Sequence, residues 1–190
     1  NRYYLEEFFE QLPRIQFQKY TSLTTEGSAD GQLNTSTNST SVDKLAEVNL
    51  PGNSLSVGDV LYIRGFALVT DNNGTDTSTI RLKLGSGSLT DIGTGPAVDV
   101  SDNDIVHVDY YLTVRTIGSS GRVVGHGIIS VGVSSLTKKN VSYSGTDNFD
   151  TTSDMSIRLT NQWSIAHADN SMTAKSFVVE IKRLEIPNNN

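Results

Sequence analysis

The chain has 190 residues, with 15 Lys and Arg against 21 Asp and Glu and no Cys. A net charge of −6 leaves no basic footprint for nucleic acid, and the missing thiols exclude cysteine catalysis, iron–sulfur ligation and cysteine-based zinc sites. No apolar run approaches the roughly 20 residues that span a bilayer, so no membrane insertion is expected.

The first twelve residues are acidic and aromatic, not a signal peptide. The chain opens at Asn1 without an initiator Met, as expected of a processed or incomplete product. Three textures follow. Residues 1–20 are amphipathic. Leu5, Phe8, Phe9 and Leu12 recur at i, i+3, i+4 and i+7 and predict a short helix, with Glu6, Glu7 and Glu10 opposite and Pro13 at its end. So short a helix is unstable alone. Its stripe is worth roughly 6–10 kcal/mol if buried, at about 2 kcal/mol per side chain. It is therefore a candidate anchoring interface, docked either on its own domain or on another subunit.

Residues 21–42 are rich in Ser, Thr, Asn and Gly and read as a polar linker or extended arm, without a core strand. Residues 43–190 carry strand patterns. Val60 to Thr70 is apolar on both parities, which predicts a central strand covered on both sides, as at a subunit contact. Asp71-Asn-Asn-Gly74 signals a hairpin, after which Ile80, Leu82 and Leu84 alternate with Arg81 and Lys83. Residues 85–104 read as a Gly/Ser/Asp-rich connection. Ile105 to Ile117 and Arg122 to Val133 predict two long strands joined by Gly118-Ser-Ser-Gly121. Residues 134–153 read as a polar loop with room for a short strand, and Lys138-Lys139 as a solvated turn. Met155, Ile157, Leu159, Trp163 and Ile165 share one parity, interrupted by Asn161, and Phe177, Val179 and Ile181 open the last strand.

Seven or more such strands predict two packed antiparallel sheets, a jelly roll or another Greek-key sandwich. An immunoglobulin-type sandwich lacks its Cys pair here.

Four stretches carry a family resemblance: Leu50-Pro-Gly-Asn-Ser-Leu-Ser-Val-Gly-Asp-Val-Leu-Tyr-Ile-Arg64, Thr79 to Gly85, Asp109 to Gly118, and Arg158 to Ala166 with Asn170 to Thr173. Together they resemble structural proteins of tailed phages and environmental viruses. The resemblance covers residues 43–187 and stops at the helix and linker. It implies an all-β jelly roll of the tumour-necrosis-factor/C1q (TNF-like) type. It also implies a virion component, often trimeric, with decoration, fibre or spike roles, and brings no catalytic residues. Leu55-Ser-Val-Gly-Asp59 has a physical reading of its own: a turn in which Gly58 takes positive φ, then a core strand.

If Gly118–Gly121 closes a tight hairpin, His126 falls opposite Leu112 or Thr113, and His107 lies roughly 15–20 Å away at about 3.3 Å per residue. The two then share no metal within one chain, although three copies of one His can meet on a trimer axis. His167 falls in a loop. Asp99, Asp102 and Asp104, and Asp147, Asp150 and Asp154, form loop clusters whose usual role is turn capping, with Ca²⁺ the alternative. No Gly-x-Ser-x-Gly elbow, phosphate loop or His-Glu-x-x-His occurs. Four Asn-x-Ser/Thr matches, at Asn34, Asn38, Asn73 and Asn140, are expected by chance in so Asn-, Ser- and Thr-rich a chain. Trp163 belongs to a core row. Tyr111 is the better surface aromatic, in a mixed row with His107, Asp109, Thr113 and Arg115.

The expectation is a non-enzymatic virion surface protein with no cofactor, metal or catalytic residue. It would self-associate, as a homotrimer, and be anchored on a major capsid or tail protein through Leu5, Phe8, Phe9 and Leu12. The alternative is a receptor- or carbohydrate-binding head that recognises a host-surface glycan.

Overall fold

The structure is a computed structural model that describes residues 14–23, 33–71, 74–133 and 136–185. Leu5, Phe8, Phe9 and Leu12 lie outside the described residues. Among the described residues eleven strands occur, in the order β1 (Arg14–Leu23), β2 (Thr35–Thr37), β3 (Asp43–Leu50), β4 (Val60–Asp71), β5 (Thr77–Gly85), β6 (Thr90–Asp99), β7 (Ile105–Thr116), β8 (Arg122–Val131), β9 (Thr137–Tyr143), β10 (Met155–Trp163) and β11 (Ser171–Glu185). They form two antiparallel sheets. The larger has seven strands, β1-β11-β4-β7-β8-β9 with β2 also paired to β11, and the smaller has four, β3-β10-β5-β6.

The two-residue alternation of each strand explains the sandwich. Leu61, Ile63, Ala67 and Val69 of β4, alternate residues Val106 to Val114 of β7, and Phe177, Val179 and Ile181 of β11 all point inward. They meet Ile80, Leu82 and Leu84 of β5 and Met155, Ile157, Leu159 and Trp163 of β10 in one core. Each fully buried side chain of this size contributes about 1.5–3 kcal/mol. Gly58 has φ +90°, and its N–H donates to the Val114 carbonyl at 2.9 Å, so the turn into β4 takes a backbone shape that favours glycine.

Two segments assigned from sequence to the anchor and linker are strands of the large sheet. Arg14–Leu23 pairs with β11 from Arg14↔Glu185 to Leu23↔Phe177. Thr35–Thr37 pairs with Ser171 to Thr173 of the same strand. Polar residues enter the sandwich here because they form a buried hydrogen-bond chain. Asn161 Nδ2 donates to Ser36 Oγ (3.2 Å), Ser78 Oγ donates to Asn161 Oδ1 (2.6 Å), and Ser36 Oγ donates to Asp43 Oδ2 (2.8 Å). Asn161 thus interrupts the apolar row of β10 because it joins β2 to β5. Leu33, also from the polar stretch, is buried.

Residues 90–99 form β6, where the sequence suggested a connection. Gly93, Gly95 and Pro96 hide the alternation, and an edge strand tolerates them because one side needs no ladder partner. Lys138-Lys139 lies on β9, the other kind of exception: an edge strand of the large sheet guarded by charge, not a turn. At the sandwich centre the Tyr110 ring lies over Gly125 and Gly127 of β8, and its hydroxyl donates to the Ile92 carbonyl of β6, tying the two sheets together. Burial, then the neighbouring Tyr143, pushes the Tyr110 hydroxyl well above the usual tyrosine range, so it stays a donor.

Glu47 of β3 is buried yet charged. Burial pushes its carboxyl up, but hydrogen bonds from Arg158, Ser156 and Lys44 outweigh that and hold it below the usual carboxylate range. A depressed folded value means the pair stabilises the fold above the unfolded value of about 4.3 and is lost as pH falls through the folded value. Glu47→Gln is therefore expected to flatten the acid side of the stability–pH curve. Urea midpoints from pH 7 down to pH 3 check this. Parallel curves for the two proteins would remove Glu47 from acid unfolding.

Candidate surface site on the large sheet

The pairing register builds a row of side chains across the outer face of the large sheet. Glu180, Tyr62, Tyr111, His126 and Ser142 are successive partners on β11, β4, β7, β8 and β9. Residues opposite one another share a face and bring their side chains within contact range. Tyr62 meets Tyr111 edge-on with ring centroids 4.6 Å apart, and Tyr111 lies nearly parallel to His126 at 5.6 Å. Lys182 Nζ sits 3.8 Å over the Tyr62 ring, and Arg64 pairs with Glu180 at 3.0 Å, closing the row on the β11 side.

On the other side the row ends in a hollow of about 380 Å³, lined by Asp109, Tyr111, His126, Ile128, Asn140 and Ser142 among others. Ile128 is 42% exposed. The Asp109 carboxylate, the Asn140 amide and the Ser142 hydroxyl have no hydrogen-bond or ionic partner among the described residues. The hollow therefore combines an aromatic and aliphatic floor with unengaged donors and acceptors.

Tyr111 was legible as a surface aromatic, but its partners were not. The Tyr62 contact needs the β4–β7 register, and the His126 contact needs the β7–β8 register. His126 stands opposite Tyr111, not Leu112 or Thr113, because an irregularity between Val114 and Thr116 shifts the ladder by one residue. His107 stands opposite Ser130, four residues along from His126.

Trp163 is 1% exposed, in the core. Asp104 accepts from the Ser101 N–H at 2.8 Å and the Val133 N–H at 3.1 Å. Asp147 accepts from the Tyr143 hydroxyl at 2.7 Å, and Asp154 from the Gly52 N–H at 2.8 Å. Asp150 takes bonds from Thr152 and Ser153, which hold its carboxyl below the usual range. Asp104 and Asp150 thus cap local turns, whereas Asp154 ties its loop to Gly52, 102 residues away, and Asp147 holds the Tyr143 hydroxyl. Among the described residues, no group of three or more His, Asp or Glu is placed to hold a metal ion. Asp76 is buried and accepts from Asn170 Nδ2 at 3.0 Å.

These features define the described residues as an all-β, two-sheet antiparallel sandwich whose larger sheet carries an outer face with aromatic and polar side chains. No protein-family model matches the chain, and no curated protein matches it. Among solved structures it is similar to the metal-free form of lectin I-B4 from Griffonia simplicifolia, at 14% identity over 90% of this chain and 93% of that one, with a TM-score of 0.32.

Proposed function

We propose that this protein is a non-enzymatic structural component of a virion surface, a TNF-like jelly roll that self-associates as a homotrimer. It would serve as a capsid decoration or a fibre or spike component. The N-terminal segment bearing Leu5, Phe8, Phe9 and Leu12 would hold it to a major capsid or tail protein.

The strand order supports the jelly-roll reading. With the β8–β9 hairpin set aside, the sheets are β1-β11-β4-β7 and β3-β10-β5-β6. The chain crosses between them from β2 to β3, β3 to β4, β4 to β5, β6 to β7, β9 to β10 and β10 to β11, wrapping one sheet over the other as that fold does.

One observation carries the self-association. On β4 the outward Val60, Phe66 and Leu68 stay partly exposed although their strand is central, with Tyr62 and Arg64 between them and the outward Val178 of β11 and Ile105 of β7 beside them. An apolar patch on a central strand is a surface that another subunit covers. Light scattering on the full chain is expected to give three times the chain mass. Phe66→Asp is expected to weaken assembly at least about tenfold, since burying one such side chain is worth about 1.5–3 kcal/mol. A monomeric wild-type protein would overturn the reading.

A second reading, a receptor- or carbohydrate-binding head, is favoured by the hollow beside Tyr111, which holds unengaged polar groups over aromatic rings.

A further inference from the structure

We propose that the hollow bounded by Tyr111, His126, Ile128, Asp109, Asn140 and Ser142 is a subsite for a neutral hexopyranose. This rests on the second reading above and gives it a place and a ligand class.

The chemistry of the lining selects the ligand. Tyr111 and His126 stack from adjacent strands with ring centroids 5.6 Å apart, leaving their outer ring surfaces toward the hollow they line. The C–H face of a pyranose packs on such rings through the hydrophobic effect and the ring quadrupole. Asp109, Asn140 and Ser142 supply an acceptor-only carboxylate, an amide with both donor and acceptor, and a hydroxyl. Vicinal sugar hydroxyls match that set, and a hydroxyl donating to an ionised carboxylate makes one of the stronger hydrogen bonds.

A purely apolar ligand would strip water from these groups and return no hydrogen bond. A protein surface closing over the hollow would bury the Asp109 charge with no cation among the lining residues. The same charge balance, one carboxylate and no Lys or Arg, disfavours sialylated or sulfated sugars. The volume of about 380 Å³ lies at the lower end of small-ligand pockets, about 300–1,000 Å³, which fits a terminal sugar better than a long chain.

The hollow sits on β7, β8 and β9, toward the sheet edge, whereas the apolar row assigned to self-association centres on β4. One copy seated on β4 and β11 would leave the hollow at the rim.

Saturation-transfer NMR on the full chain tests the assignment. The probes are the methyl glycosides of glucose, galactose, mannose and fucose, with sialic acid as the anionic arm. The expected result is transfer to at least one neutral glycoside and none to sialic acid. That signal weakens at least about tenfold in Tyr111→Ala and in Asp109→Asn. Asp109→Asn keeps side-chain shape and guards against a folding artefact, and far-UV dichroism checks both variants. Thr152→Ala, on a distant exposed turn, is expected to bind like the wild type.

Binding unchanged by either variant would overturn this site while leaving the carbohydrate-binding reading intact. Binding of sialic acid alone would overturn the ligand class. No binding to any probe would overturn the assignment, and a glycan array with no hits on the same sample would take the second reading with it. Light scattering on the same samples reads self-association separately.

Discussion

Gly125→Ala is expected to cost about 3 kcal/mol, at the upper end of ordinary overpacking, and to lower the melting temperature by about 6–12 °C. A Cβ there would lie 2.3 Å from the Tyr110 hydroxyl and 2.6 and 2.7 Å from two of its ring carbons. The ring cannot move aside freely, since its hydroxyl is bonded to Ile92 of the opposite sheet and its edge already meets the space beside Gly93. The test is a double-mutant cycle. Tyr110→Ala alone costs about 3–5 kcal/mol by leaving a cavity. In that background Gly125→Ala should cost little, because the new methyl group enters vacated space.

Gly127→Ala supplies the contrast. Its Cβ would lie 2.2 Å from the Asp109 carbonyl oxygen and 2.6 Å from the Tyr110 Cα, both backbone atoms. Removing the Tyr110 ring cannot relieve that overlap, so no rescue is expected. Thermal melts by circular dichroism read the wild type and the five variants. Equal rescue of both glycine variants, or no cost in either, would show that the ring does not occupy this space.

Arg183→Met is expected to destabilise the fold by about 3–5 kcal/mol, the usual cost of stranding a buried charge. Asp59 is 1% exposed and takes two bonds from Arg183, Nε at 2.9 Å and Nη2 at 2.6 Å, plus the Ser56 N–H at 2.8 Å. Arg183 Nη2 also donates to the Ser54 carbonyl at 2.8 Å. The pair therefore ties β11 to the Gly58 turn at the start of β4. Adding Asp59→Asn to Arg183→Met removes the stranded charge and should restore part of the loss. Urea midpoints decide it. A double variant as weak as the sum of the two single ones would mean that the residues act independently.

The same turn shows what local sequence can carry. The Leu55-Ser-Val-Gly-Asp59 pattern required only a residue free to adopt positive φ, and Gly58 adopts it. Trp163 was placed in the core by its same-parity neighbours alone. Both statements concern one stretch of chain and its own two faces. β6 and β9 were harder because edge strands tolerate Gly, Pro and Lys, which erase the alternation used to find strands. Thr35–Thr37 was harder still, since a polar segment becomes a strand only when Asn161 and Thr173 meet its hydroxyls.

By itself, then, the amino-acid order determined a β-sandwich after residue 43, the Gly58 and Gly118–Gly121 turns and the inward face of most strands, because a period of two reports burial strand by strand. Which strands lie side by side, and in what register, was decided only in three dimensions. The Tyr62, Tyr111 and His126 row exists because three strands pair with one irregularity near Arg115. A slip of one residue there would send His126 against a different partner. Periodicity fixes a face, whereas a surface site needs neighbours, and neighbours follow from backbone pairing and packing that no single strand encodes.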